Sequence, residues 1–349
     1  MTNSRLENKL MTFLKFLISF SISLKLSLIP HEVFKDRANY LIGLAYSEKR
    51  FVELFDNIGV KILFQEPLFK ISNYLLSFSL EHETILSLYA FLNCFCVLSF
   101  VLYNRKSFNY SLISILLLML TPYFFATTLG SLRQGLGFNL ILISFMRRDS
   151  ILSNKFAFTL FLASLFHVIF FVFLFLTLSY RFTFRFVKNQ KLLYFLIFVI
   201  VICIGLGWKF VTPLLASKQQ YDEFEQSNSG LTFIGWFLLF IPFLYNYLYL
   251  RKSEVFFHEA VYQFALFMFI CFLIFYWFAP GPYRILYSTM PLVIYALFNN
   301  RSLYSILSLV FITLYSLILI AVGAGSGSMN ISYIEFIRIF FSISTIQVL

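Results

Sequence analysis

Three side chains, far apart in the chain, have the types needed to transfer a group carried on a phosphate: Arg133, His167 and Arg284. Arg133 lies between Ser131 and Gln134, a pair that reads as a capping box at a helix start. Leu136 to Phe145 is almost wholly apolar, so that helix is expected to enter a bilayer. A helix N-terminus carries partial positive charge and unpaired N–H groups. A guanidinium added there disfavours the helix but suits an anion site. Arg284 follows Pro280-Gly281-Pro282-Tyr283, which predicts a tight loop aiming that arginine. His167, alone among the histidines, sits inside an apolar run, and imidazole titrates near neutrality, as a general base must. Cations to hold an anionic leaving group and a base to take a proton make a membrane enzyme acting on a lipid-linked phosphate. Plainer readings stand beside this one. The arginines could be snorkelling or interfacial anchors, and the histidine could bond a neighbouring helix.

The elements that must position these residues follow from composition. Of 349 residues, 60% are hydrophobic and only 12% charged, too apolar for a soluble fold. The apolar runs do not alternate as barrel strands do, so the expected class is an all-α polytopic membrane protein. The net charge of +11 is dispersed between apolar runs, which excludes a nucleic-acid surface. Cys94, Cys96, Cys203 and Cys271 lie within apolar segments, at spacings of neither a disulfide framework nor a zinc site. About ten to twelve transmembrane or re-entrant helices are expected in one integral membrane domain, residues 1–349.

The first span is expected at Met11 to Ile29, with lysines inside it and no small-residue cleavage site, hence retained. An extracytoplasmic loop, 31–83, follows, with interfacial helices at Phe51 to Phe64 and Leu68 to Leu80. Spans are then expected at Thr84 to Tyr103, Tyr110 to Leu129, and from Ser131 to Arg147. Phe156 to Tyr180 has two readings. As one span it puts Arg181, Arg185, Lys188 and Lys191 outside, against the positive-inside rule. As a re-entrant hairpin with His167 near its tip, it sorts the charges correctly, and this reading is favoured. Later spans are expected at Leu192 to Phe210, Leu231 to Leu250, Ala260 to Ala279, Ile285 to Phe298 and Leu303 to Val322, with a weaker one at Tyr333 to Leu349. A second extracytoplasmic loop is expected at 211–230. The short inside loops, such as Arg105-Lys106, Arg147-Arg148, Arg251-Lys252 and Arg301, are then nearly pure Lys and Arg.

The first loop holds Asp36, Arg37 and Tyr40 close together, with Glu66-Pro67 further on. A solvated face explains most such charges, and one carboxylate, not singled out by the sequence, is a candidate to orient His167 or a sugar hydroxyl. His31-Glu32 has no second cluster to complete a metal site. His82 and His258, beside acids, read as surface residues. Gly323 to Ser328 lacks the lysine of a P-loop and reads as a flexible connection.

Arg133-Gln134-Gly135 opening a span, followed by Ala163-Ser164-Leu165-Phe166-His167, resembles the EpsG family of bacterial exopolysaccharide proteins. That family is related to Wzy-type polymerases of O-antigen and capsule repeat units. Asp36 to Tyr40 and Glu66-Pro67-Leu68-Phe69 are similar to its first loop, and Tyr283-Arg284 fits its later region. Gly135 and Gly137 depart from the small helix formers expected there, which predicts a loosened helix start. The resemblance implies glycosyl transfer outside the bacterial cytoplasmic membrane, from a glycan on undecaprenyl diphosphate to a sugar hydroxyl of a lipid-linked repeat unit. It implies that Arg133, Gln134, Tyr283 and Arg284 bind substrate, helped by Asp36, Arg37 and Glu66, and that His167 is the base. No cofactor or metal is required. Partners implied are the lipid-linked glycans, the bilayer, and a flippase and chain-length regulator of the same pathway, with no nucleic acid. A flippase, a glycan ligase and a lipid-phosphate-sugar mannosyltransferase remain alternatives.

Overall fold

The structure is a computed structural model that describes residues 2–56, 59–103, 108–187, 189–214, 230–250, 259–278, 283–299, 302–321 and 329–343. Among these residues the fold is all-α, with one isolated antiparallel bridge, Phe34 to Met329. Of the expected features, the loop tip Pro280–Pro282, the segment Gly323 to Ser328 and most of 211–230 lie outside the described residues. So do Arg105, Lys106, Lys188, Arg251, Lys252, His258 and Arg301.

The helices in chain order are α1 Thr2–Ser27, α2 Lys35–Ala45, α3 Ser47–Asp56, α4 Pro67–Ser77, α5 His82–Tyr103, α6 Phe108–Leu120, α7 Pro122–Phe125 and α8 Leu132–Met146. Then come α9 Asn154–Phe166, α10 Ile169–Phe186, α11 Gln190–Leu214, α12 Gly230–Tyr245, α13 Glu259–Phe278, α14 Tyr283–Asn299, α15 Leu303–Ala321 and α16 Tyr333–Ser342. Five are long and apolar enough to cross a bilayer: Lys9–Ser27 of α1, His82–Leu102 of α5, α10, Glu259–Trp277 of α13, and α15. The bent pair α6–α7 makes a sixth if counted as one span. Four more apolar helices are shorter, Leu132–Met146 and Asn154–Phe166 among them. Among the described residues there are thus five or six candidate spans rather than the expected ten to twelve, and the run Tyr110 to Leu129 is broken.

Helix α13 is the hub. Its apolar window is 89% buried, against 22% for those of α1 and α15, which therefore lie at the periphery. The segments just before α2 and α16 meet. Asn330 donates from its backbone to Val33 (2.8 Å) and from its amide to Glu32 (2.6 Å). Helix α16 starts with a true capping box, Ser332 with Glu335, and Phe336 packs on Phe34 and Phe125.

Two breaks set up the site. The run Tyr110 to Leu129 is not one span. It turns by 81° at Thr121, where Pro122 lacks an N–H to continue the ladder. It then runs through a π-turn, Ala126–Gly130, closed by the Ser131 N–H on the Ala126 carbonyl at 2.7 Å. The second break is at His167, between α9 and α10. There the chain folds back, since Arg181 late in α10 donates to the Asn154 side chain at the start of α9 (2.6 Å). His167 is the tip of that hairpin.

Gly135 and Gly137 correct the expectation of a loosened helix. A methyl group at 135 would stand 2.8 Å from the Thr127 carbonyl and overlap the Asn93 amide. At 137 it would lie 2.9 Å from the Ala163 carbonyl and 2.6 Å from the Phe170 ring. The glycines bring α8 against α5 and α9. Overpacking of this kind costs about 1–3 kcal/mol, although alanine favours the helix itself. Gly137→Ala should therefore lower the thermal midpoint of the purified protein in detergent. An unchanged or raised midpoint would show that the contact yields freely.

Candidate functional site

The site is built where the first loop, α8, the hairpin tip and α14 meet. Arg133 is in the first turn of α8, which begins directly from the π-turn. Its Nη1 pairs with Glu66 Oε2. The Tyr40 phenol bonds the same guanidinium, which also lies 5.6 Å from the Tyr40 ring centroid and 5.9 Å from that of Phe69. Burial pushes the Tyr40 phenol above its usual range, so it stays a neutral hydrogen-bonding group. His167 Nε2 is 4.0 Å from the second Glu66 oxygen. Both the Arg133 and Arg284 charges act on the His167 ring. Glu66 and His167 are buried, with 8% and 4% of their surface exposed, so this is an enclosed charge cluster and not a solvated face.

Glu66 is placed by backbone geometry. It precedes Pro67, the first residue of α4, and adopts φ 55°, ψ 54°, a left-handed conformation uncommon for any residue but glycine. Such strain persists only where surroundings hold it, and it clusters at functional positions.

The capping box read at Ser131 and Gln134 does not form. Ser131 makes no side-chain cap bond, because the chain arrives from a π-turn and not from an open loop. The Gln134 side chain instead crosses to α14, donating to the Arg284 carbonyl and to Ser288 Oγ at 2.7 Å. This bond ties the start of α8 to the turn that carries Arg284. Two buried polar atoms here lack partners, Arg133 Nε and Gln134 Oε1.

Asp36 is half-buried in α2, and its charge acts on Tyr40 and on Tyr287 of α14. Tyr283 faces an aromatic wall, 6.1 Å from Phe272 and 6.0 Å from Tyr276 between ring centroids. Arg37 is fully buried and is engaged with the protein itself. It donates to the Leu129 carbonyl (3.0 Å), the Ile29 carbonyl (3.3 Å) and His31 Nδ1 (2.9 Å), over the Phe34 ring. Burial pulls the Arg37 guanidinium down to about 10, which leaves it charged at neutral pH. Burial first, and the Arg37 charge second, lower the His31 pKa below its usual value, so a neutral ring accepts that bond.

Sequence reasoning missed Ser288, and it missed Asn93. Asn93 fills the gap beside the π-turn, donating to the Thr128 and Leu132 carbonyls (both 3.3 Å) and accepting from Asn139 (2.8 Å). An asparagine in mid-span was the available signal, since a buried amide there must find partners.

A family model described as the EpsG family matches residues 10–337, nearly the whole chain. The chain belongs to the EpsG family. The stretches of this EpsG protein that carried the resemblance, Arg133-Gln134 and Phe166-His167, are the ones that meet at Glu66. No curated protein and no solved structure matches the chain. An EpsG protein with several apolar membrane-length helices is a membrane protein with an exopolysaccharide-related role.

Proposed function

We propose that this EpsG-family protein is a polysaccharide repeat-unit polymerase of the bacterial cytoplasmic membrane, with its site on the extracytoplasmic side. The donor is a growing glycan on undecaprenyl diphosphate, and the acceptor is a sugar hydroxyl of a new lipid-linked repeat unit. The observation that carries this reading is the convergence of Arg133, Glu66 and His167, from three separate parts of the chain, in one cluster in which Glu66 and His167 are buried and Arg133 is half-buried.

The chemistry needs little more. The acceptor oxygen forms a bond to the anomeric carbon as the bond from that carbon to the diphosphate oxygen breaks. The electron pair leaves on undecaprenyl diphosphate, whose growing charge Arg133 and Arg284 stabilise. Diphosphate is a good leaving group, so no general acid is required. The hydroxyl proton passes to a base in the His167–Glu66 pair. Asp36, Tyr283 and Gln134 are the proposed contacts for the sugars. A flippase and a chain-length regulator of the same pathway are the proposed partners.

A flippase would want its charges midway along its spans. Supporting the polymerase is that the charged residues sit at a helix start, a hairpin tip and a loop. The test is polymerisation by the purified protein with a synthetic lipid-linked repeat unit. A ladder of products, each one repeat longer, is expected. Transfer of a single unit to an unrelated acceptor would point to a ligase, and no transfer by folded protein would overturn the reading.

A further inference from the structure

Glu66 stands where the donor diphosphate would have to go. One of its oxygens holds Arg133, while the other is 4.0 Å from His167 Nε2, beyond hydrogen-bonding range. His167 is constrained in turn. Its Nδ1 accepts the Ile169 backbone N–H at 3.3 Å, so a neutral ring carries its proton on Nε2, on the side of Glu66. A nitrogen that bears a proton cannot take another, and the imidazole is therefore a donor towards the carboxylate. Arg133 Nε is buried and has no partner, so the guanidinium has unused capacity for an anion with several oxygens.

We propose that Glu66 is the catalytic base, and that without donor it rests on Arg133 as an internal anion which the diphosphate displaces. This rests on the polymerase reading above. A carboxylate whose oxygen is held on a guanidinium is not free to meet an acceptor hydroxyl. A diphosphate brings more charge and more oxygens to Arg133 than one carboxylate does. Once displaced, Glu66 closes on the His167 N–H, which orients it. It then accepts the proton of the acceptor hydroxyl while that oxygen bonds the anomeric carbon and the diphosphate departs with the electron pair. The base is thereby armed only when donor is present. His167 acts as a positioning residue through Glu66.

The test uses full-length protein in lipid nanodiscs, with undecaprenyl diphosphate as the binding probe and the lipid-linked repeat as substrate. Glu66→Gln removes the competing charge and the base together. It should bind the probe about tenfold more tightly and lose polymerisation by about 10²–10⁴-fold. If Glu66→Gln does not fold, Glu66→Asp serves, since its shorter arm cannot both reach Arg133 and keep the base position. It should also bind more tightly and turn over more slowly. Unchanged or weaker binding by the folded variant overturns the internal anion, and wild-type polymerisation by it overturns the base. Should wild-type protein polymerise and Arg133→Ala lose probe binding, such a failure touches Glu66 alone. Should the wild type neither bind the probe nor polymerise, both readings fall.

Discussion

Arg133→Ala is expected to abolish polymer, by about 10³-fold or more, while the protein still reaches the membrane. Removing one preorganised donor from a developing oxyanion costs about 10²–10³-fold. Here the lost group is a full charge with several N–H donors, so the larger figure applies. The substitution has a second effect that must be separated from the first. It strands the Glu66 carboxylate, whose side chain is only 10% exposed. An uncompensated buried charge destabilises by roughly 3–5 kcal/mol. The double variant Arg133→Ala, Glu66→Gln should therefore recover thermal stability without recovering polymer. Arg133→Lys keeps the charge but not the planar fork, and should restore only part of the activity. Arg284→Ala is expected to act in the same direction as Arg133→Ala. Full-length polysaccharide from a strain carrying only Arg133→Ala would remove this residue from the mechanism.

Arg37→Met is expected to destabilise the fold by about 3–5 kcal/mol without touching the proposed chemistry directly. The Leu129 and Ile29 carbonyls would lose their donor inside the protein, and His31 would lose its partner. Leu129 is in the π-turn that delivers the chain to Ser131 and Arg133. The loss should therefore loosen the start of α8 and lower activity in proportion to the unfolded fraction. A lysine has one compact ammonium and cannot reach three acceptors lying in different directions, so Arg37→Lys should rescue poorly. Denaturant or thermal melts in detergent give the measurement. A melt like that of the wild type would show that the guanidinium is dispensable and return Arg37 to the substrate-binding residues.

Much of this protein was legible in its residues. The apolar runs gave away membrane helices, since no soluble core could hold them. Charge bias favoured the fold-back at His167 over a single span, because it returned Arg181 and Arg185 to the side expected for Arg147. Arg133 drew attention as a cation at the helix end where cations are disfavoured. The misreadings share a cause. Ser131 and Gln134 satisfy a local pattern, but a pattern four residues long does not register that a π-turn feeds the helix. Gly135 and Gly137 read as weak points in a lone helix, yet they are where α5 and α9 press against α8.

What the sequence determined by itself was the class of fold and a short set of candidate charges. Apolar length and charge bias are read within a window of some twenty residues, and they need no knowledge of distant partners. Only the tertiary structure decided among the charges. It joined Glu66, not Asp36, to Arg133, set His167 beside that carboxylate, sent Gln134 across to Ser288, and turned Arg37 onto backbone carbonyls. Each of these pairings links parts of the chain that meet only once the helices pack, and packing rests on the shape of whole faces that no single segment contains.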